Sequence, residues 1–308
     1  MKPPLPSVLA IHSNNSRQPF ANTFFRTSNF GIIFGYWGIL ETPMKYRYPL
    51  IAIAVVGLIT LAGCSNWLGK VNIFPVEQDV ALGQQVAASF ESGSAAVVLD
   101  SAKNRTLYQY IYNVRDTILS TNLLVHKNDF PWRVRIIHND TIQNAFCTPG
   151  GYIYVYTGLM KYLESEDQLA GVMGHEMAHA EKRHSTDAMT REFGANLLLE
   201  LIFGTNKAQL LQVATGLAQL SFGRDAETEA DNCSVDWLYQ TSYNPVGAAG
   251  FFEKIQKEKN QVNIPEFLST HPDPGNRVAN MKKRWAEKGG KTGATYTERY
   301  KKMLTYLP

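Results

Sequence analysis

The segment AGVMGHEMAHAEKRH, residues 170–184, constrains the fold of this 308-residue chain more than any other part of the sequence. The pattern predicts an amphipathic helix that begins after Ser165, with Gln168 at the third position as a capping box. His175 and His179 are four residues apart, so on a helix their imidazoles lie one above the other on the same face. The fold must therefore place this helix so that other side chains or a bound ion can contact the face that carries the two imidazoles.

Two imidazoles spaced in this way can bind one cation, with Zn–N distances of about 2.0–2.1 Å. Glu176 lies beside them and can accept a proton from water at the metal. The arrangement is the H-E-x-x-H pattern of zinc metalloproteases, which suggests a zinc site. The alternative is that the two histidines are simply solvated on a helix face.

The third ligand of such a site is not obvious from the nearest histidine. A catalytic zinc needs a third protein ligand and one open position. The metzincin pattern would place glycine at position 182 and histidine at position 185, where this chain has Lys182 and Ser185. We therefore reject His184 as a ligand and expect it to make a supporting hydrogen bond or to lie at the helix end.

A better candidate lies in RDAETEADNC, residues 224–233, which is predicted to be helical. Glu227 can complete the zinc site from this second helix, while Asp231, four residues on, can orient a ligand histidine. Glu229 is the rival, but it points about 200° away from Glu227 around the helix. A solvated acidic helix face is the alternative interpretation.

Four segments together resemble the HtpX and CAAX-prenyl-protease-like zinc peptidases, the forty-eighth metallopeptidase family. In order they are NAFCTPGGYIYVYTGLM, GHEMAHAEKRH, ETEAD and THPDPGNRV, and the similarity covers nearly all of residues 75–287. It is greatest for the periplasmic lipoprotein members. The resemblance implies a gluzincin endopeptidase with one Zn²⁺ per subunit. The residues it implies are the ligands His175, His179 and Glu227, the general base Glu176, and the supporting acid Asp231.

The same resemblance assigns roles to two loops. Near residues 144–151 it implies a rim to which an extended substrate adds as a strand, although an ordinary hairpin turn is the alternative. The residues expected at this rim are Asn144, Ala145, Phe146, Pro149 and Gly150. In the HP loop, it implies that His271 covers the zinc in a self-inhibited resting state. A surface loop with no such role is the alternative for His271.

The resemblance also implies the biological role. Expected substrates are unfolded or misassembled envelope proteins, with the outer-membrane assembly machinery as a possible partner. A non-proteolytic chaperone or assembly factor on the same fold is one alternative, and a different zinc hydrolase is another. The intact set of predicted site residues argues against an inactive site.

The remaining patterns predict a mostly helical α+β, zincin-like domain over residues 77–287. Residues 132–138 alternate between apolar and basic side chains, and residues 152–156 follow a Pro-Gly-Gly turn. Both segments are predicted to be strands of a small antiparallel sheet beside the active-site helix. Residues 288–308 are expected to form a loose C-terminal tail.

The sequence MKYRYPLIAIAVVGLITLAGC, residues 44–64, has the charged, apolar and small-residue regions of a secretory signal. Its apolar run is shorter than the roughly 20 residues of a membrane span. LAGC resembles the bacterial lipobox, which implies a lipid on Cys64 and cleavage of residues 44–63. Ser65 then implies an outer-membrane protein facing the periplasm, joined through a tether over residues 64–76. An uncleaved anchor helix is the alternative.

The leader before this signal, residues 1–43, is expected to be a mis-annotated or disordered extension, with Met44 as the initiator. Beyond residue 63 the chain has 25 basic and 26 acidic residues, a balance that argues against a nucleic-acid partner. In an oxidising compartment a disulfide between Cys147 and Cys233 is feasible, since both segments are expected to approach the zinc.

Overall fold

The computed structural model describes residues 72, 74–93, 96–204, 207–258 and 266–308. The predicted leader, the signal peptide, Cys64 and most of the tether lie outside the described residues. Within the described part of the chain, no helix has both the length and the apolar character needed to cross a membrane.

Three short strands form the sheet: β1 (Arg133–Ile137), β2 (Ala145–Thr148) and β3 (Tyr152–Tyr156). Their order is β1-β3-β2, with β3 antiparallel to β2 and parallel to β1. The predicted antiparallel pairing of β1 with β3 is therefore wrong. The reason is β2, a strand that the sequence pattern placed only at the lip of β3: because it reverses the chain, β3 runs in the direction of β1.

The turn between β2 and β3 depends on two glycines. Gly150 and Gly151 have φ values of 72° and 79°, a region that other residues enter at a steric cost. A Cβ on Gly150 would lie 2.8 Å from the Cα of Val80, so the hairpin also packs directly against the helix Val76–Ser92.

The helices surround this sheet, and the mostly helical α+β prediction is confirmed. In chain order they are α1 (Val76–Ser92), α2 (Arg105–Leu119), α3 (Thr157–Tyr162), α4 (Glu166–Glu181), α5 (His184–Phe193), α6 (Ala195–Ile202), α7 (Lys207–Gly216), α8 (Arg224–Tyr239), α9 (Gly247–Lys257), α10 (Phe267–Thr270), α11 (Arg277–Glu287) and α12 (Thr297–Leu304). A 3₁₀ turn, Leu217–Gln219, precedes α8.

The sheet separates two apolar clusters. Along β3, Ile153 and Val155 belong to the cluster shared with α2, α4, α8 and α9. The alternating tyrosines of the same strand, Tyr152, Tyr154 and Tyr156, belong to the cluster shared with α1, α6 and α7. Because successive side chains of a strand point to opposite faces, all five residues of β3 are buried.

Helix α4 is packed closely because glycines face its neighbours. A Cβ on Gly171 would lie 2.3 Å from the amide nitrogen of Ala248 in α9. The carbonyl of Gly171 accepts a hydrogen bond of 2.8 Å from the Ser234 hydroxyl in α8. The two crossings hold α4 inside the domain, so its histidines meet side chains from other helices rather than water.

The N-terminal end of α4 is fixed by the buried carboxylate of Glu166. It accepts hydrogen bonds from the hydroxyls of Tyr110 (2.5 Å) and Tyr243 (2.6 Å), and the Arg299 guanidinium binds both of its oxygens. The predicted capping box does not form, because the Gln168 side chain accepts from the amide of Glu164 instead.

The segment predicted to be a loose tail instead contains a helix that packs against the core through two buried residues. Residues 297–304 form α12, in which Tyr300 and Met303 are buried. The Tyr300 hydroxyl donates to the carbonyl of Met160 at 2.6 Å. The prediction is wrong because α12 is stabilised by contacts distant in sequence, which local composition does not reveal.

Replacing Gly171 with alanine tests the close packing of α4 against α9. Because the new Cβ meets backbone, the helices must separate, and we expect the free energy of unfolding to fall by about 1–3 kcal/mol despite the better helix propensity of alanine. Denaturant unfolding measures the change.

Gly250→Ala in α9, the helix that Gly171 faces, is the matched control, since a Cβ there meets only the flexible side chain of Gln168, at 3.2 Å or more. We expect it to stay within about 0.5 kcal/mol of the original protein. A Gly171→Ala protein as stable as this control would contradict the packing described.

Candidate metal centre

The structure brings His175, His179 and Glu227 together. One turn of α4 places the Nε2 atoms of His175 and His179 3.0 Å apart. From α8, the carboxylate of Glu227 lies 3.4 Å from His175 Nε2 and 3.3 Å from His179 Nε2. All three side chains are buried, so the spacing of four residues in the sequence has become one compact group of ligand atoms.

His271 adds a fourth ligand atom to this group. Its Nδ1 lies 3.3 Å from His175 Nε2 and 3.1 Å from Glu227 Oε1. Ligand atoms from the four residues all lie within 4.8 Å of one another. Four ligands held tetrahedrally at about 2.0–2.1 Å from zinc would lie roughly 3.3–3.4 Å apart, close to the spacing of these atoms. Three imidazoles and one carboxylate are also ligand types that zinc binds, so the residues fit this ion.

Glu176 lies beside the group, and its carboxylate contacts His271 without accepting a hydrogen bond from the described residues. Both of its oxygens are buried and have no hydrogen-bond partner among the described residues, although His271 Nε2 lies 3.3 Å from Oε1. Burial raises the pKa of Glu176 to about 7, while the neighbouring His271 acts to lower it. A buried carboxyl with a pKa near neutrality can both accept and release a proton.

Asp231 contacts the ring of His175. Its Oδ1 lies 2.8 Å from His175 Nδ1, so Nδ1–H donates to the carboxylate and the Nε2 lone pair is left for a metal ion. Asp231 in turn accepts two hydrogen bonds from the guanidinium of Arg277, at 2.7 and 2.8 Å. The supporting role predicted for Asp231 is therefore geometrically possible.

Arg277 is a site residue that the sequence interpretation missed. Its side chain is 1% exposed, donates to Glu227 Oε2 at 2.7 Å, and lies 4.0 Å from the ring centroid of Phe252. It also donates to the carbonyl of His271 at 3.3 Å. One signal was present: Arg277 is the only Lys or Arg between residues 260 and 281.

Arg277 and the imidazoles around Glu227 explain how a carboxylate can be charged in this interior. Burial alone would raise its pKa, but the imidazoles of His271 and His175 lower the pKa well below its ordinary value. For Arg277, burial acts against the charged form, yet the carboxylates of Asp231 and Glu227 raise its pKa. The site thus contains mutually compensating charges.

His184 does not reach the ligand group. It is the first residue of α5, and its Nδ1 lies 3.1 Å from Nδ1 of His179. Of the two roles expected for His184, the structure forms the supporting hydrogen bond. Glu229, the rival ligand, points away from the metal centre, with Oε2 at 3.5 Å from His184 Nε2.

The five residues expected at a substrate rim are all buried. Ala145 and Phe146 belong to β2, an edge of the sheet, and the Phe146 ring stacks on Tyr154 at 4.8 Å between centroids. The Asn144 amide donates to the carbonyl of Ala218 in the 3₁₀ turn, which therefore lies beside the start of β2. Pro149 and Gly150 pack against α1.

The disulfide that the sequence made feasible is not formed, and Cys147 and Cys233 are both free thiols. The Sγ atom of Cys147 lies 3.0 Å from the hydroxyl of Ser185 at the start of α5. Cys233 is a partly buried residue of α8 whose charged neighbours include Lys182 and Glu229. The two thiols thus have different surroundings.

Arg277→Ala tests the buried ion pair. The substitution leaves the carboxylates of Asp231 and Glu227 buried without this cation, and we expect the free energy of unfolding to fall by about 3–5 kcal/mol. Denaturant unfolding in metal-free buffer isolates this effect from metal binding.

Arg284→Ala is the matched control, because Arg284 makes the same two-pronged contact from the same helix to Asp236 of α8. That pair is 39% and 20% exposed, so its loss is expected to cost about 0–1 kcal/mol. Equal losses for the two variants would contradict the importance of burial.

Comparison with known proteins gives a family match over residues 111–285, to the family described as peptidase family M48. The chain is 33% identical over 148 residues to the mitochondrial metalloendopeptidase OMA1 of Arabidopsis thaliana, covering 48% of this chain and 30% of that protein. It is 30% identical over 225 residues to the beta-barrel assembly-enhancing protease of Escherichia coli (strain K12), covering 68% and 44%. A putative beta-barrel assembly-enhancing protease of Vibrio cholerae is 29% identical over 194 residues, covering 58% and 39%.

The chain thus spans less than half the length of these relatives. The family match nevertheless covers more than half of this chain and contains His175, His179 and Glu227. The predicted resemblance and the zinc cofactor are confirmed at the level of the family. The chain belongs to peptidase family M48.

Proposed function

We propose that this protein is a zinc-dependent endopeptidase in which His175, His179 and Glu227 hold the metal and Glu176 is the general base. The observation that carries the proposal is the buried carboxylate of Glu176, which accepts no hydrogen bond from the described residues and lies beside a group of ligand atoms with the spacing of a zinc site. Membership of a peptidase family supports it, as do the printed names of the relatives, which are proteases and metalloendopeptidases.

The chemistry follows from what each side chain is free to do. When bound, zinc supplies Lewis-acid polarisation of a peptide carbonyl and makes water at the site more acidic. Glu176 accepts the water proton on one of its free oxygens and delivers it to the nitrogen of the departing amine. Asp231 keeps the His175 ring in place during these steps through its hydrogen bond to Nδ1.

His271 limits access to the metal in this arrangement. A catalytic zinc keeps one position open, yet His271 Nδ1 fills the space of a fourth ligand beside Glu227. Its ring is fully buried and stacks on Phe267 at 4.1 Å between centroids. We propose that this is a self-inhibited state, and that His271 moves away before a substrate carbonyl enters.

The substrate is proposed to bind in an extended form along β2, the sheet edge nearest to α4. The residues proposed for the rim of this binding site are Asn144, Ala145, Phe146, Pro149 and Gly150. The substrate would pair with them through main-chain hydrogen bonds, which are only weakly selective for sequence. Because these residues are buried here, binding requires the 3₁₀ turn beside Asn144 to shift.

The natural substrates are proposed to be unfolded or misassembled proteins of the bacterial envelope. The lipobox-like LAGC supports a protein anchored through Cys64 in the outer membrane and facing the periplasm. Relatives named as beta-barrel assembly-enhancing proteases support a partnership with outer-membrane assembly. A chaperone that needs no proteolysis is distinguished by the next experiment.

Glu176→Gln removes the general base but keeps the shape of the side chain. We expect cleavage of casein or an unfolded outer-membrane protein to fall by about 10²–10⁴-fold, while zinc binding is retained. Gel-based or fluorescent assays measure cleavage, and elemental analysis measures the metal.

The control for this substitution is Glu192→Gln, the same change at an exposed position of α5, which is expected to cleave normally. A chelated wild-type sample is expected to be inactive. Cleavage that is unchanged in the Glu176 variant and in the chelated sample would falsify the proposed mechanism.

His271→Ala tests the self-inhibited state. Since the minor state of such an equilibrium is typically populated at about 0.1–10%, removing the blocking imidazole is expected to raise the initial cleavage rate on the order of tenfold or more. The comparison is made at equal zinc content.

His126→Ala is the control histidine, because its ring pairs with Asp129 and not with the metal centre. It is expected to leave the rate unchanged. If His271→Ala and His126→Ala cleave at the same rate, His271 does not block the site.

A further inference from the structure

The two histidines of α4 are supported by different partners. His175 Nδ1 faces the Asp231 carboxylate directly, at 2.8 Å. His179 Nδ1 instead faces another imidazole, that of His184, at 3.1 Å. A ligand histidine normally donates its second ring N–H to a carboxylate, a carbonyl or water, so the partner of His179 needs a separate account.

Two nitrogens can share one proton only if one donates and the other accepts. If His179 binds metal through Nε2, its proton lies on Nδ1, and His184 must accept it with an unprotonated Nδ1. The remaining proton of His184 then lies on Nε2. That atom is 3.5 Å from Oε2 of Glu229, whose negative charge favours a proton there.

The chain is held in the conformation that this contact requires. Between α4 and α5, Arg183 has a φ of 60°, a left-handed conformation that is costly for a non-glycine residue. Its guanidinium binds both oxygens of the buried Asp79, at 2.5 and 3.0 Å, and the carbonyl of Phe74. These contacts of Arg183 hold a sharp turn in the chain, so that the ring of His184, five residues after His179, lies against the ring of His179.

We propose that His184 is a positioning residue that fixes the tautomer and orientation of His179, and that Glu229 fixes the tautomer of His184. The series of side-chain contacts from Glu229 to His184 to His179 thus presents Nε2 of His179 to the metal, as the contact with Asp231 does for His175. The inference rests on the proposed metal centre. It assigns to Glu229 a function in that centre without direct contact with the ion.

Zinc affinity tests the proposal independently of proteolysis. In competition with a chromophoric chelator, His184→Ala is expected to bind zinc about 10–100-fold more weakly than wild type. His184→Asn is expected to restore most of the affinity, because Asn Oδ1 can accept the proton of His179 near the place of the lost Nδ1. Glu229→Ala is expected to bind zinc more weakly than wild type, with a smaller loss than His184→Ala.

Lys182→Ala is the matched control, since it removes the other charged contact of Glu229, from Lys182 Nζ to Oε1 at 3.6 Å, and keeps the contact of Oε2 with His184. It is expected to bind zinc as wild type does. In proton NMR spectra of the zinc-loaded protein, the Nδ1–H signal of His179 is expected to disappear or shift in His184→Ala and to persist in His184→Asn and Lys182→Ala. A purely structural role would not produce this pattern.

Equal zinc affinity in wild type and His184→Ala overturns the proposal. If His184→Ala does not fold, Glu229→Ala decides, because Glu229 is 39% exposed and its replacement is expected to be tolerated. Equal affinity of Glu229→Ala and Lys182→Ala then overturns the proposal. Wild-type protein that binds zinc but cleaves no peptide overturns the proposed function and leaves this inference standing.

Discussion

The ion pair that Arg277 makes with Asp231 and Glu227 is the interaction on which the metal centre depends. Two carboxylates buried between α8 and α4 would repel each other and lose their hydration. The Arg277 guanidinium binds both carboxylates at 2.7–2.8 Å and compensates their negative charges. The same contacts attach α11 to α8. The ligand helix can therefore be buried with its acidic partners charged.

The packing around α4 serves the same end. Gly171 lets α9 approach the helix, and Ser234 of α8 binds the carbonyl of that glycine. With both neighbours fixed, His175 and Glu227 meet without a flexible loop carrying either residue. The Glu166 carboxylate at the start of α4 adds contacts with α2 and α12. The metal centre is thus built on rigid elements, which favours precise ligand geometry.

The sequence predicted the helical part of the site because a spacing of four residues has one meaning on a helix. His175, His179, Glu227 and Asp231 were all found by this rule and lie together in the structure. The sheet direction was wrong because it depends on β2, whose four residues carry no strong period. Arg277 and α12 were missed since their burial depends on distant partners, Asp231 and Glu166, that no local pattern reveals.

The hydrogen bond from Arg277 to the carbonyl of His271 has a mechanical consequence. Five residues separate His271, the imidazole proposed to block the metal, from Arg277, whose guanidinium binds Glu227 and Asp231. A displacement that carried both away would expose Glu227 and Asp231 as uncompensated charges. In the self-inhibited state proposed above, release of His271 would therefore break this hydrogen bond and bend the chain between the two residues while Arg277 stays in place, with a connecting segment of at most about 20 Å.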